Sequence, residues 1–365
     1  MRTIMPIDRL HLLVPFALPS AANASTALAG VARPALERLV AHATFVEQVI
    51  GEDFQRTLPH ERWVARRFGA VAGSAADEAP LAPYMLRADG GEPGDATWAC
   101  VQPVHVHVAH DHLVLIDPAA LALDDADAAA LFALARPLIG ELGVRVEAPA
   151  PQRWYLSSNA FGSLAGAAPL RASGRNIEIW LPHEAHTGER SRLWMRLQNE
   201  VQMAWFEHPV NAAREARGLP AVNSIWFHAQ GAARPVTSPF SRVFSDAAAT
   251  RGLALAASVA PAPAPAGFAA LREQPDTAGP DGTTLVELDP FAAAFIAQDW
   301  PRWADAFAAF ERDWCAPALA ALQTGEVREL CLTLCGDTGS VTLRVTRGDL
   351  RKFWRRRPFA SLLIE

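Results

Sequence analysis

The sequence predicts an α/β protein in which a mostly parallel sheet, flanked by helices, carries an α+β insertion. Three observations support this. Leu10–Phe16 (LHLLVPF), Ile225–Phe227 and Thr284–Leu288 are continuous apolar runs of strand length, the pattern of strands buried on both faces of a parallel sheet. Segments with helical spacing lie between them. Residues 97–157 read as strand, strand, helix, strand, strand, which suits a small α+β domain better than part of a parallel sheet.

Taken in order, Leu10–Phe16 forms the first strand. Pro34 starts a helix, with Leu36, Leu39 and Val40 on one face, that is expected to run through Val49. Pro59–Phe68 is a second helix, and Asp89-Gly90-Gly91-Glu92-Pro93-Gly94 is a turn at a domain boundary. Trp98–Val108 and Leu113–Ile116 are strands. Asp124 caps a helix from Ala126 to Leu142, which Gly143 stops. Val144–Glu147 and Arg153–Ser157 complete the insertion, and Ser191–Phe206 is an amphipathic helix. Trp300–Leu322 is the last long helix, followed by strands at Val327–Leu334 and Ser340–Val345. The expected domains are a core of residues 1–92 and 190–365 and an insertion of residues 93–189.

Composition narrows the function classes. The chain has 365 residues, half of them apolar, and a net charge of −6, which argues against a nucleic-acid surface. Lys352 is its only lysine, so Schiff-base and P-loop chemistry have almost nowhere to live. Cys100, Cys315, Cys331 and Cys335 form no zinc-type pair of motifs and read as free thiols in a reducing compartment. Leu10–Ala24 has some features of a secretory leader, but Asp8 interrupts its basic region and Pro15 and Pro19 break its apolar run. No apolar run reaches transmembrane length, and the expectation is a cytoplasmic protein without a membrane partner.

The most informative stretch is Glu207–Gly231, EHPVNAAREARGLPAVNSIWFHAQG. It reads as a helix carrying Arg214 and Arg217 on one face, a stop at Leu219-Pro220, a short strand opened by Asn223, and a polar glycine turn. Such a turn stands where parallel sheets place their active-site loops. The stretch resembles a segment of the archaeal-type cofactor-independent phosphoglycerate mutases, members of the alkaline phosphatase superfamily. Their version reads HPVN, an Arg, a Gly, PAN, an aromatic strand and WGQG. Weaker blocks follow in the same order: Arg33–Leu39, Gly94–Cys100 (GDATWAC against GDVAFRC), Gln152-Arg153-Trp154, Phe310–Asp313 and Val327–Leu330. The same stretch is also similar to proteobacterial proteins described as Rpf-type regulatory proteins. The resemblance implies an alkaline-phosphatase-like fold with a lid-type insertion.

What the resemblance implies about chemistry does not carry over to these residues. Members of the mutase family hold two divalent metals with Asp and His ligands around a Ser or Thr nucleophile. Where the first Asp belongs, this chain has Pro15-Phe16-Ala17; at the nucleophile it has Leu58-Pro59-His60-Glu61, with Thr57 the nearest hydroxyl. The later ligand loop becomes Asp289-Pro290-Phe291 through Gln298-Asp299, and the final Asp-His pair becomes Gly336-Asp337-Thr338. Asp337 alone holds a divalent ion only weakly.

Two other groups of residues are candidates. His105, His107, His110 and His112 form the densest ligand-type cluster, with His105 and His107 on one strand face. A solvated strand face with two loop histidines is the plainer reading. Arg153, Arg214 and Arg217, with Asn223, are candidates for a retained anion pocket, because guanidinium groups bind phosphate or carboxylate in bidentate fashion. The sequence therefore points to a non-catalytic mutase relative, with no catalytic residues and no cofactor. It would bind a phosphorylated or carboxylated small molecule, or a protein partner, in a regulatory role. The alternative is a mutase or phosphatase whose metal site has been rebuilt from Asp289, Asp299, Asp337 and the histidines.

Overall fold

The computed structural model describes residues 7–71, 78–157, 164–184, 188–275 and 282–363. From the N-terminus the strands are β1 (Ile7–Val14), β2 (Thr44–Ile50), β3 (Thr97–Val104), β4 (Val106–Val108), β5 (Leu113–Leu115), β6 (Arg145–Ala150) and β7 (Arg153–Ser157). They continue with β8 (Ser224–Ala232), β9 (Arg242–Phe244), β10 (Pro261–Ala262), β11 (Thr283–Glu287), β12 (Val327–Cys335) and β13 (Gly339–Thr346). The chain divides into two compact units, Met1–Glu52 with Thr237–Glu365, and Asp53–Val236.

The first unit contains the sheet expected from the apolar runs. Its seven strands lie in the order β10-β9-β11-β1-β12-β13-β2. Strands β10, β9, β11, β1 and β12 are parallel, and β13 and β2 add an antiparallel edge. Only three residues separate β12 from β13, so that pair closes as a hairpin. The fold is thus mixed α/β with a mostly parallel central sheet. The helix begun by Pro34 stops at His42, not at Val49. Thr44-Phe45-Val46 and Val49-Ile50 are β-branched and aromatic, and pairing with β13 wins over continued helix.

The long helix expected at Trp300–Leu322 is two α-helices, Trp300–Phe310 and Ala316–Thr324, joined by a π-helical stretch at Glu311–Cys315. The widened turn places Glu311 over the start of another helix. Its carboxylate accepts the backbone N–H of Ala35 (2.6 Å) and of Leu36 (3.0 Å), the first turn of Pro34–His42. Arg33 gives that helix no side-chain cap of its own, so a distant carboxylate satisfies the free donors.

The second unit is built on a four-stranded antiparallel sheet, β6-β7-β3-β8. Helices Asp125–Gly140 and Glu189–Phe206 supply Leu131, Trp194 and Trp205 to the core on one face, where Trp154, Ile225 and Phe227 meet them. As expected, Asp124 caps the first of these helices by accepting from Asp127 N–H at 2.8 Å. A smaller core under the β4–β5 hairpin takes Val104, Leu115, Trp180 and Trp226.

The strand Ile225–Phe227, expected in the parallel sheet, is not there. It belongs to β8, which runs antiparallel to β3 with Phe227 opposite Val101. The apolar run reports burial on both faces: Ile225 and Phe227 enter one core and Trp226 the other. Burial on two faces says nothing about strand direction. The second unit also exceeds the expected insertion of residues 93–189, because Arg56 carbonyl accepts from Ala168 N–H (2.9 Å) and Tyr84 hydroxyl exchanges hydrogen bonds with the backbone of Arg234.

Replacing Glu311 with alanine removes both bonds to the first turn of Pro34–His42. It should lower the unfolding free energy by about 1–3 kcal/mol, read from the urea midpoint. Glu311→Gln keeps one acceptor oxygen and should lose less.

Candidate functional site

In the first unit, the carboxyl end of the parallel strands is where metal-dependent chemistry would be placed. Phe16, just past β1, has φ 55°, a left-handed backbone that few bulky residues adopt. Its carbonyl accepts the indole N–H of Trp303 at 3.0 Å, and its ring lies 5.1 Å from that of Phe295. Phe291, in the loop after β11, stacks on Trp303 at 5.4 Å and on Phe307 at 5.8 Å. Phe16, Phe291, Trp303 and Phe307 are almost wholly buried. Nearby carboxylates act on the backbone instead: Asp289 accepts from Ala292 N–H and Asp299 from Arg302 N–H, the latter capping Trp300–Phe310. Asp337 sits in the β12–β13 turn. A phenyl ring donates no lone pair, so these residues do not fit a two-metal site. Among the described residues, no three His, Cys, Asp or Glu side chains are grouped to hold a metal ion.

In the second unit, the arginines read as an anion pocket are each engaged by groups of the chain itself. Arg214 is fully buried. It donates to the carbonyls of Pro220 (3.0 Å), Ala122 (3.4 Å) and Leu121, and lies 3.7 Å from Asp127. Arg217 reaches the same Asp127 at 3.2 Å. Arg153 makes a bidentate pair with Asp89 (2.8 and 2.6 Å), which also accepts the Tyr155 hydroxyl. That hydrogen-bonded carboxylate raises the guanidinium pKa still further. These arginines hold loops and carboxylates of their own chain.

The conspicuous HPVN block is likewise a scaffold. His208 caps the helix Pro209–Ala216 through Val210 N–H. Asn211 donates to the carbonyls of Trp205 and Val222 and accepts from Val222 N–H. Asn223 clamps both the N–H (2.8 Å) and the carbonyl (2.9 Å) of Val106. Two asparagines thus fix the entry into β8. The His105 ring bonds the carbonyl of Ala221 at 2.6 Å, with the His107 ring 6.4 Å away, and His112 pairs with Asp111. Those histidines do not converge.

A polar pocket that sequence reasoning missed lies around Thr57, Glu78, His228 and Gln230. Glu78 accepts from the backbone N–H of Arg56 and of Thr57, each at 2.7 Å, and from the Thr57 hydroxyl. Arg56 itself is fastened to the carbonyls of Ile179, Trp180 and Leu181. Gly166 closes the wall, its N–H donating to Gln230 at 3.2 Å; a Cβ there would stand 2.1 Å from the Phe227 carbonyl. His228 is buried, and among the described residues neither ring nitrogen has a hydrogen-bond partner. The enclosed space is about 10 Å³, room for one water and not for a sugar phosphate. Thr57 was visible in sequence only as a lone hydroxyl, and nothing local marks Glu78 or His228 as its neighbours.

No protein-family model matches this sequence, and no curated protein matches it. Two solved structures are similar over nearly its whole length. The cofactor-independent phosphoglycerate mutase from Thermoplasma acidophilum DSM 1728 shares 15% identity at a TM-score of 0.45, covering 98% of this chain and 95% of that one. The PH0037 protein from Pyrococcus horikoshii shares 10% identity at a TM-score of 0.51, covering 94% and 88%. That likeness is one of fold. No described helix is long and apolar enough to cross a membrane.

Burial pushes His228 down to about 3, helped by Arg153, and burial with Arg171 and Arg62 holds His60 at about 3. Both are neutral in the folded chain, whereas an unfolded histidine titrates near about 6.5. The unfolded state therefore binds more protons between those values. Stability should be complete above the unfolded value and fall with pH below it, by up to about 1.4 kcal/mol per pH unit for each group. In urea titrations from neutral pH towards pH 4, His228→Asn should flatten that slope by about one proton.

Proposed function

We propose that this protein is a non-catalytic relative of the cofactor-independent phosphoglycerate mutases, one that acts by binding a partner or metabolite, in a regulatory role, rather than by turnover. The ordered sequence blocks support the family reading. The observation that carries the loss of catalysis is the aromatic packing at the carboxyl end of the parallel sheet, where Phe16 and Phe291 stand in place of metal donors. Phosphoryl transfer of the mutase type needs metal ions to neutralise charge and a nucleophile between them, and the local donor set supplies neither. The engaged state of Arg153, Arg214 and Arg217 supports a binding mode other than phosphate capture by those residues.

A second reading rests on Thr57, whose hydroxyl is held on the Glu78 carboxylate. A hydroxyl hydrogen-bonded to a carboxylate is a candidate nucleophile beside an acceptor for its proton. Under this reading the chain is a mutase or phosphatase with a rebuilt site.

Purified protein incubated with Mg²⁺, Mn²⁺ or Co²⁺ should give no conversion of 3-phosphoglycerate to 2-phosphoglycerate and no phosphatase activity above a blank. Turnover that rises with metal and disappears in Thr57→Val would establish the second reading and end the first.

A further inference from the structure

One of the two terminal strands of the seven-stranded sheet is β2, and among the described residues no further strand pairs with its outer edge. Edge strands are ordinarily blunted by charges, proline or a covering segment, since free N–H and C=O groups template further pairing. Strand β2 carries one charge, Glu47, and a register irregularity between Phe45 and Glu47, yet it presents Phe45 (44% exposed), Val46 (49%) and Ile50 (63%). An apolar, open edge of this kind is built to receive an extended chain.

The ground beside it is cationic. A groove of about 520 Å³ is lined by Arg33, His42, Arg355, Arg356, Arg357 and Phe359, with Glu37 its only acid. A second hollow, sharing Arg355–Arg357, runs onto Thr44 and Phe45 of β2 itself. Some of these charges are already engaged. Lys352 and Arg355 share Asp349, and Arg33 pairs with Glu37. Arg356 and Arg357 make no ion pair among the described residues. The Arg357 guanidinium lies 5.4 Å over the Phe45 ring, and its Nη1 is buried without a hydrogen-bond partner. Phe353 and Trp354 stand 76% and 66% exposed at the same rim. A positive groove with two unpaired guanidinium groups, on a chain of net charge −6, calls for negative charge opposite it.

We propose that β2 and this arginine groove form a docking site for an extended acidic peptide segment of a partner protein. The segment adds to the sheet as a strand on β2. Its apolar residues cover Phe45, Val46 and Ile50, and its carboxylates pair with Arg356 and Arg357. A second copy of this chain is a poorer occupant, because pairing β2 with β2 brings two cationic grooves towards each other. The inference names a partner chemistry for the binding role above, but it stands on different residues from the argument against turnover.

The test uses the intact protein and fluorescein-labelled decapeptides that alternate Glu with Val or Phe, read by anisotropy. These should bind saturably and weaken several-fold between about 0.1 M and 1 M salt, where the screening length falls from about 10 to 3 Å. The same peptides with Lys for Glu, and the Glu peptides with N-methylated backbones, should bind at least about tenfold more weakly, as should Arg356→Glu/Arg357→Glu protein towards the Glu set. Circular dichroism establishes that the variant is folded. Equal binding of the Lys peptides, or indifference to N-methylation, overturns the proposal. So does no peptide binding, alone or with recruitment to vesicles of phosphatidylcholine and about 30% phosphatidylserine, which would make the rim a membrane contact. Dimerisation through β2 that excludes the peptides also overturns it. Mutase turnover in a peptide-binding protein would sink the non-catalytic reading and leave the docking site standing.

Discussion

The contact between Trp303 and Phe16 sets the character of the first unit. A phenylalanine at φ 55° costs about 1–2 kcal/mol relative to an ordinary backbone, so something must hold it there. The Trp303 indole takes its carbonyl, and Phe295 covers its ring. Phe291, Phe307 and Phe310 extend the packing behind them. Burying several aromatic side chains at roughly 1.5–3 kcal/mol each more than offsets the strain. The same packing removes the position from solvent and from any ion. A carboxylate at Phe16 would be a buried charge among rings, and the surrounding aromatics could not hydrate it.

The second unit uses arginine to tie down loops of its own chain. A guanidinium has five donors in a rigid plane and can satisfy several carbonyls as readily as one phosphate. Arg214 does this with three loop carbonyls beside Asp127, and Arg56 with the turn at Ile179–Leu181. Loops that lack regular structure must still satisfy their carbonyls once buried. Here a single long side chain does so for each loop, and Asn211 and Asn223 do the same for the approach to β8.

Much of the local structure was legible in the sequence. Proline at a helix start, Asp124 as a cap, and apolar runs of strand length each act within a few residues, and all appear where the chain places them. The absence of metal donors at Pro15-Phe16 and Phe291 was also readable, since side-chain chemistry does not depend on the fold. The end of the helix at His42 was less so: its apolar spacing continued into residues that strand β13 could claim. The edge β2 could become a strand only because β13 lay beside it.

Other features were decided by tertiary structure alone. The direction of β8 depends on β3, more than a hundred residues earlier, and a run such as Ile225-Trp226-Phe227 is equally apolar in either sheet. The partners of Arg153 and Arg214 are Asp89 and Asp127, on distant segments. Thr57, Glu78 and His228 meet in one pocket although they lie on segments far apart in the sequence. The sequence by itself determined which segments become helix or strand, because propensity and capping act over a few residues. Only the tertiary structure decided strand direction and ion-pair partners, because those depend on distant side chains meeting, and no local period encodes the meeting.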